Sequence, residues 1–390
     1  MRAMLFDVNC SPIVGLMKPS DGDFTYLQGS TRPYMAKCRT ILQEWFDPYP
    51  TEEHRRFLGR FRDGRRDEQH RSAVFELFLH EVLRRRGYGI EVEPTMPNGE
   101  PTHPDFKAYQ DAHPRFYLEA RHKLPPDVEL SDRFPLVFES LDRVYSTDFH
   151  VSLDVDGRCA TQPPHGKWRR AVEGWLSSLD PKAETGAYLA HGPKSCASLA
   201  LTHEGLRITV RPIPKSPAHR GTPNERTVGC VLQGMKLVRT AEQLRSAVID
   251  KATKYGEIDL PYIVAVDVAS DFSIDQEDIF EALFGSLSYE VSLNDGEASR
   301  WIQHGNGVWS GPEGRNNGVS AALVWCGRIP GDLITRSPIL VHNPWARRAL
   351  DPDLWPLDQF VAVPGTPSLE CRTGPSAADF LELEDFRGLA

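Results

Sequence analysis

In the stretch His103–His122, HPDFKAYQDAHPRFYLEARH, Asp105 follows a proline and Glu119 stands in a second extended run. Side chains two apart on a strand share a face, so Glu119 goes with Arg121 and Asp105 with Lys107. If DFKAY and RFYLEAR pair as a hairpin, both carboxylates can lie on one side of the sheet. Two carboxylates and a main-chain carbonyl, here that of Ala120, make an all-oxygen site suited to Mg²⁺ or Mn²⁺. A cation held there can polarise a phosphodiester and generate the nucleophile for in-line attack.

The surrounding pattern supplies elements to hold these groups. Residues 72–86, SAVFELFLHEVLRRR, set Phe75, Phe78, Leu79, Val82 and Leu83 on one helical face, and Gly87 ends the run. Glu76 lies at the edge of that stripe. YGIEVEP follows as a short strand, PNGEPTHP as a loop, and then the two extended runs. The order is helix, strand, strand, strand.

With Glu76, Pro104-Asp105 and Glu119-Ala120-Arg121 in place, residues 70–122 resemble the PD-(D/E)XK nuclease superfamily, the restriction-endonuclease-like fold. The resemblance implies an α/β protein with α+β elements, its mixed central sheet flanked by helices. It also implies that Glu76, Asp105 and Glu119 serve a metal, and that a lysine two residues after Glu119 positions or activates water. Arg121 stands there instead. Arginine stays protonated, so it can grip phosphate but cannot take a proton from water. The family tolerates relocation of its lysine to the helix after the third strand.

The next helix followed by an apolar strand is distant. Residues 241–255, AEQLRSAVIDKATKY, precede PYIVAVDV, and Leu244, Val248, Lys251 and Tyr255 share one helical face. An unpaired ammonium in an apolar stripe is unfavourable. Lys251 therefore either reaches Asp105 and Glu119, snorkels past the helix end, or pairs with Asp259 or Asp267; Lys254 is a second candidate. This pairing makes residues 123–240 a large α+β insertion. The expected organisation is a helical, arginine-rich segment over 1–70, half-cores over 71–122 and 241–345, the insertion between them, and a tail over 346–390. Within the insertion, Lys167 to Arg170 could bind nucleic acid, although Trp168, Val172, Trp175 and Leu176 fit an inward-packed helix face better.

Arg62, Arg65 and Arg66 belong to the segment richest in arginine, which could contact phosphate or be a solvated face balanced by Glu52, Glu53 and Asp63. A net charge of −9 excludes a generally basic nucleic-acid coat and leaves room for a local basic face. Seven scattered cysteines without a Cys-x-x-Cys pair argue against a zinc site or disulfide framework. No apolar run is long enough for a membrane span, and MRAMLFDVNC lacks a signal-peptide core, so a cytoplasmic protein is expected. Phosphate-loop, zincin, nucleophile-elbow and dinucleotide motifs are absent.

Together these observations point to a Mg²⁺- or Mn²⁺-dependent nuclease acting on nucleic acid, with DNA the favoured partner and defence or repair the setting by analogy. The alternative is a decayed nuclease fold that binds nucleic acid or protein. A homodimer or a defence-system partner protein stays open.

Overall fold

The computed structural model describes residues 3–7, 9–18, 21–64, 67–97, 99, 102–123, 135–157, 159–224, 226–233, 240–268, 274–290, 300–363, 368–384 and 388. Contacts divide the chain into two compact units, Met1–Gly15 with Gly22–Pro125 and Arg239–Ala390, and Leu16–Asp21 with Pro126–Val238. In chain order the first unit supplies α1 (Asp23–Gly29), α2 (Pro33–Phe46), α3 (His54–Phe61), α4 (Asp67–Arg85), β1 (Gly89–Val92), β2 (Phe106–Gln110) and β3 (His113–Lys123). The second follows with α5 (Pro135–Asp142), β4 (Phe149–Asp156), α6 (His165–Ser177), α7 (Pro181–His191), β5 (Leu199–His203), β6 (Leu206–Pro214) and β7 (Val228–Gln233). The first resumes with α8 (Thr240–Ala252), β8 (Tyr262–Val268), α9 (Gln276–Phe284), β9 (Leu287–Glu290), β10 (Arg300–Gln303), β11 (Ala321–Trp325), β12 (Ile339–His342), β13 (Gln359–Ala362), β14 (Leu369–Arg372) and α10 (Ala377–Phe380). The protein is thus of mixed α/β class.

The first unit is built on an eight-stranded sheet of order β1-β2-β3-β8-β11-β12-β13-β14. β2 pairs antiparallel with both β1 and β3, whereas β3 and β11 flank β8 in parallel. β8 reads YIVAVDV and is buried along its whole length, as a strand covered on both faces must be. Alternation along β3 sends Phe116 and Leu118 to the face covered by α4, and Tyr117 to the face that carries Leu244, Val248 and Tyr255. The β2–β3 connection is tighter than the sequence suggests. Asp111 and Ala112 take left-handed conformations at φ 51° and 63°, and Pro114 lies inside β3, paired with Tyr109 across an irregularity.

α4 is buried nearly all round from Ala73 to Leu83, including Glu76, His80 and Glu81. A helix of that kind belongs inside the core, and its acids need cationic partners. Arg84 and Arg85 bind Glu81, and Gly87, at φ 87°, ends the helix. Residues 346–390 do more than trail from the core. They add β13 and β14 to the sheet edge and bring Trp355, Leu357, Ala377 and Leu381 into the core beneath α4.

The second unit holds a four-stranded sheet of order β5-β6-β4-β7. Its core joins Phe149, Val151 and Leu153 to Val137 and Leu141 of α5 and to Trp168, Val172 and Leu176 of α6. Trp168 therefore packs inward. Among the described residues no helix is long and apolar enough to cross a membrane.

Candidate active site

The β2–β3 register pairs Phe106 with Leu118, and one further step sets Asp105 across from Glu119. Asp105 Oδ2 accepts a hydrogen bond from the Ala120 amide at 2.6 Å. The amide and carbonyl of one strand residue point to the same side, so the Ala120 carbonyl faces Asp105 rather than β8. The Tyr117 amide, three residues earlier and of opposite parity, bonds instead to the Pro261 carbonyl just before β8.

Glu119 is 1 % exposed and takes three donors. The ammonium groups of Lys251 and Lys254 bind Oε1, the second at 3.3 Å, and the Tyr255 hydroxyl binds Oε2. The acids that could have taken Lys251 are engaged elsewhere: Asp259 accepts from Tyr117 at 3.2 Å, and Asp267 pairs with His122 at 2.7 Å. The helix ends at Ala252, earlier than the sequence pattern suggested, so Leu244 and Val248 are buried on its face while Lys254 and Tyr255 stand in the turn that follows; Lys251, in the last turn, crosses an apolar layer to reach a buried carboxylate. Pairing is what makes an ammonium tolerable there.

On the other side stands Glu76. Tyr49 donates to its Oε1 at 2.7 Å, and Arg60 grips both oxygens at 2.6 and 3.0 Å. The Asp105 carboxyl is desolvated, and both glutamates act on it. Burial, then Glu119, then Glu76 push its pKa well above the usual carboxylate range, against the Ala120 amide and Lys251. The cluster balances three carboxylates, Glu76, Asp105 and Glu119, against the cations Arg60, Lys251 and Lys254.

Arg121 shares the side of β3 that carries Glu119, and its Nε is buried with no hydrogen-bond partner among the described residues. Arg62 is used differently from the expectation: its guanidinium binds the main-chain carbonyls of Met4 and Leu5, so it anchors the N-terminal segment instead of presenting a free phosphate fork. Arg65 and Arg66 lie outside the described residues. His342 closes β12, buried and bonded to Gln359 at 2.9 Å, as a structural histidine would be. Tyr49 and Arg60 were not singled out as site residues by the sequence, and Tyr255 was read only as part of an apolar stripe.

Among the described residues no group of three or more His, Cys, Asp and Glu side chains is arranged to hold a metal ion. A cation here would rest on Asp105, Glu119, the Ala120 carbonyl and water, which is how Mg²⁺ usually binds. The crowding of acids around Asp105 fits that use, since a divalent cation relieves like-charge repulsion. Compared with known proteins, the chain matches no family model, no curated protein and no solved structure.

Proposed function

We propose that the protein is a divalent-metal-dependent nuclease of the restriction-endonuclease-like type, hydrolysing phosphodiester bonds of nucleic acid, with DNA the favoured substrate. The observation that carries this reading is the convergence of Glu76, Asp105 and Glu119 with Lys251, which donates to Glu119 from a helix distant in sequence. When bound, the cation would supply Lewis-acid polarisation of the phosphodiester. Asp105, Glu119 and the Ala120 carbonyl would hold it. Lys251 holds Glu119 in place by donating to Oε1, and its remaining N–H donors can orient an attacking water or meet negative charge as it develops on phosphate. Arg121, whose Nε has no partner among the described residues, is suited to grip a phosphate oxygen. Defence or repair is the setting this chemistry suggests by analogy.

A second reading has its own support. Glu119 already accepts from Lys251, Lys254 and Tyr255, so the same architecture could persist as a module that binds nucleic acid or protein without cutting. Mn²⁺ calorimetry separates the two. The wild-type protein is expected to bind Mn²⁺ and to nick DNA in its presence. Asp105→Asn removes a ligand charge and should abolish both while leaving the melting temperature of the metal-free protein unchanged or higher. Nucleic-acid affinity without Mn²⁺ binding in the wild type would favour the binding module.

A further inference from the structure

The hydrogen-bond geometry around Glu119 singles out one residue that the proposed chemistry has not used. An ionised carboxylate offers two lone-pair positions on each oxygen. Lys251 and Lys254 both donate to Oε1, which fills it. Tyr255 donates to Oε2 and, among the described residues, leaves one position there. We infer that Tyr255 is a positioning residue that turns the free lone pair of Glu119 Oε2 toward the cation.

Two features of Tyr255 suit it to this role. The residue is 1 % exposed, wedged edge-on against the Tyr262 ring at 5.8 Å between centroids, so its hydroxyl has a fixed place. It is also tied back to the lysine beside it: Lys254 donates to the Tyr255 oxygen at 2.8 Å, with its ammonium 4.9 Å from the ring centroid. The lysines engage Oε1, and the phenol engages Oε2, the oxygen left to face the cation. Partners that orient a metal ligand commonly change metal affinity by about 10–100-fold when removed.

This inference rests on the metal-dependent reading above, and the experiment separates the two. Mn²⁺ affinity is measured by calorimetry for the wild type, Tyr255→Phe and Tyr262→Phe, each checked for folding by its metal-free melting curve. Tyr262 is an equally buried phenol beside the same carboxylates whose hydroxyl, among the described residues, donates to the Lys251 carbonyl at 3.4 Å and not to Glu119, so it reports the effect of losing a buried hydroxyl near the site without losing a Glu119 donor. Tyr255→Phe should weaken Mn²⁺ binding about tenfold or more, whereas Tyr262→Phe should stay within about twofold of wild type. Equal affinity in Tyr255→Phe and wild type overturns the assignment, as does an equal loss in both variants. If the wild type binds no Mn²⁺, the metal-dependent reading itself fails and Tyr255 falls with it. Should Tyr255→Phe not fold, the wild type still decides. With isotopically labelled tyrosine, the Tyr255 hydroxyl proton should give a downfield resonance that shifts during a Mg²⁺ titration along the calorimetric isotherm. A resonance that ignores Mg²⁺ overturns the assignment.

Discussion

Replacing Lys251 by methionine should reduce Mn²⁺-supported cleavage by about 10²-fold or more while the protein remains folded. Methionine preserves the packing of the lysine stem beside Leu244 and Val248 and removes the ammonium that binds Glu119. The carboxylate is not orphaned, since Lys254 and Tyr255 still donate to it. The stability loss should accordingly be about 1.5–3 kcal/mol, the range for one charged hydrogen bond. Plasmid nicking and urea denaturation, run on the same preparation, measure the two effects separately. Arg121→Lys is expected to retain or raise activity, because it restores a lysine on the strand face of Glu119. Wild-type cleavage rates in Lys251→Met would exclude a catalytic part for that ammonium.

Acid should destabilise the fold through His80. Burial, against the nearby Glu81 and together with Arg84, lowers its pKa from 6.5 to about 4. The ring is enclosed by Tyr49 at 4.7 Å and Phe106 at 6.1 Å, and its Nδ1 has no hydrogen-bond partner among the described residues. Between the two values the unfolded chain binds a proton that the folded chain refuses, so stability falls as pH drops through that window and levels off below it. From pH 7 to 4.5 the loss assigned to this residue is about 2–3 kcal/mol, at about 1.4 kcal/mol per pKa unit. Burial lowers the pKa values of His70 and His342 as well, which steepens the same limb. Urea denaturation at the two pH values should show a markedly smaller difference for His80→Leu than for wild type. Identical pH dependence in the two proteins would contradict the assignment.

What could be read from the sequence was whatever left a periodic or contradictory trace. α4, β2, β3, α8 and β8 were visible because each carries an apolar period, and Lys251 stood out because it set a charge into that of α8. Arg60 left no such trace. It sits in a run of arginines that reads as a solvated face, and only folding α3 against α4 turns it into the two-pronged partner of Glu76. Arg62, two residues on, was indistinguishable by sequence and serves the N-terminal segment instead. The hydroxyls of Tyr49 and Tyr255 were hidden for a related reason, since a tyrosine on an apolar face looks like any other core residue until its acceptor is known. β13 and β14 escaped notice because strands of four residues among prolines show no alternation long enough to recognise.

Glu119 and Lys251 are separated by 132 positions along the chain, with a unit of separate fold encoded between them. At about 5–20 residues per second, a ribosome would finish the acids roughly 7–26 s before the lysine. Throughout that interval the nascent chain carries Glu76 with its arginine but Glu119 without its ammonium. β3 likewise waits for β8, its parallel neighbour, before it can become an interior strand. The constellation is thus absent from any truncated translation product that stops before residue 251. Any chemistry the proposed site performs would therefore have to wait until the chain has been made as far as residue 251.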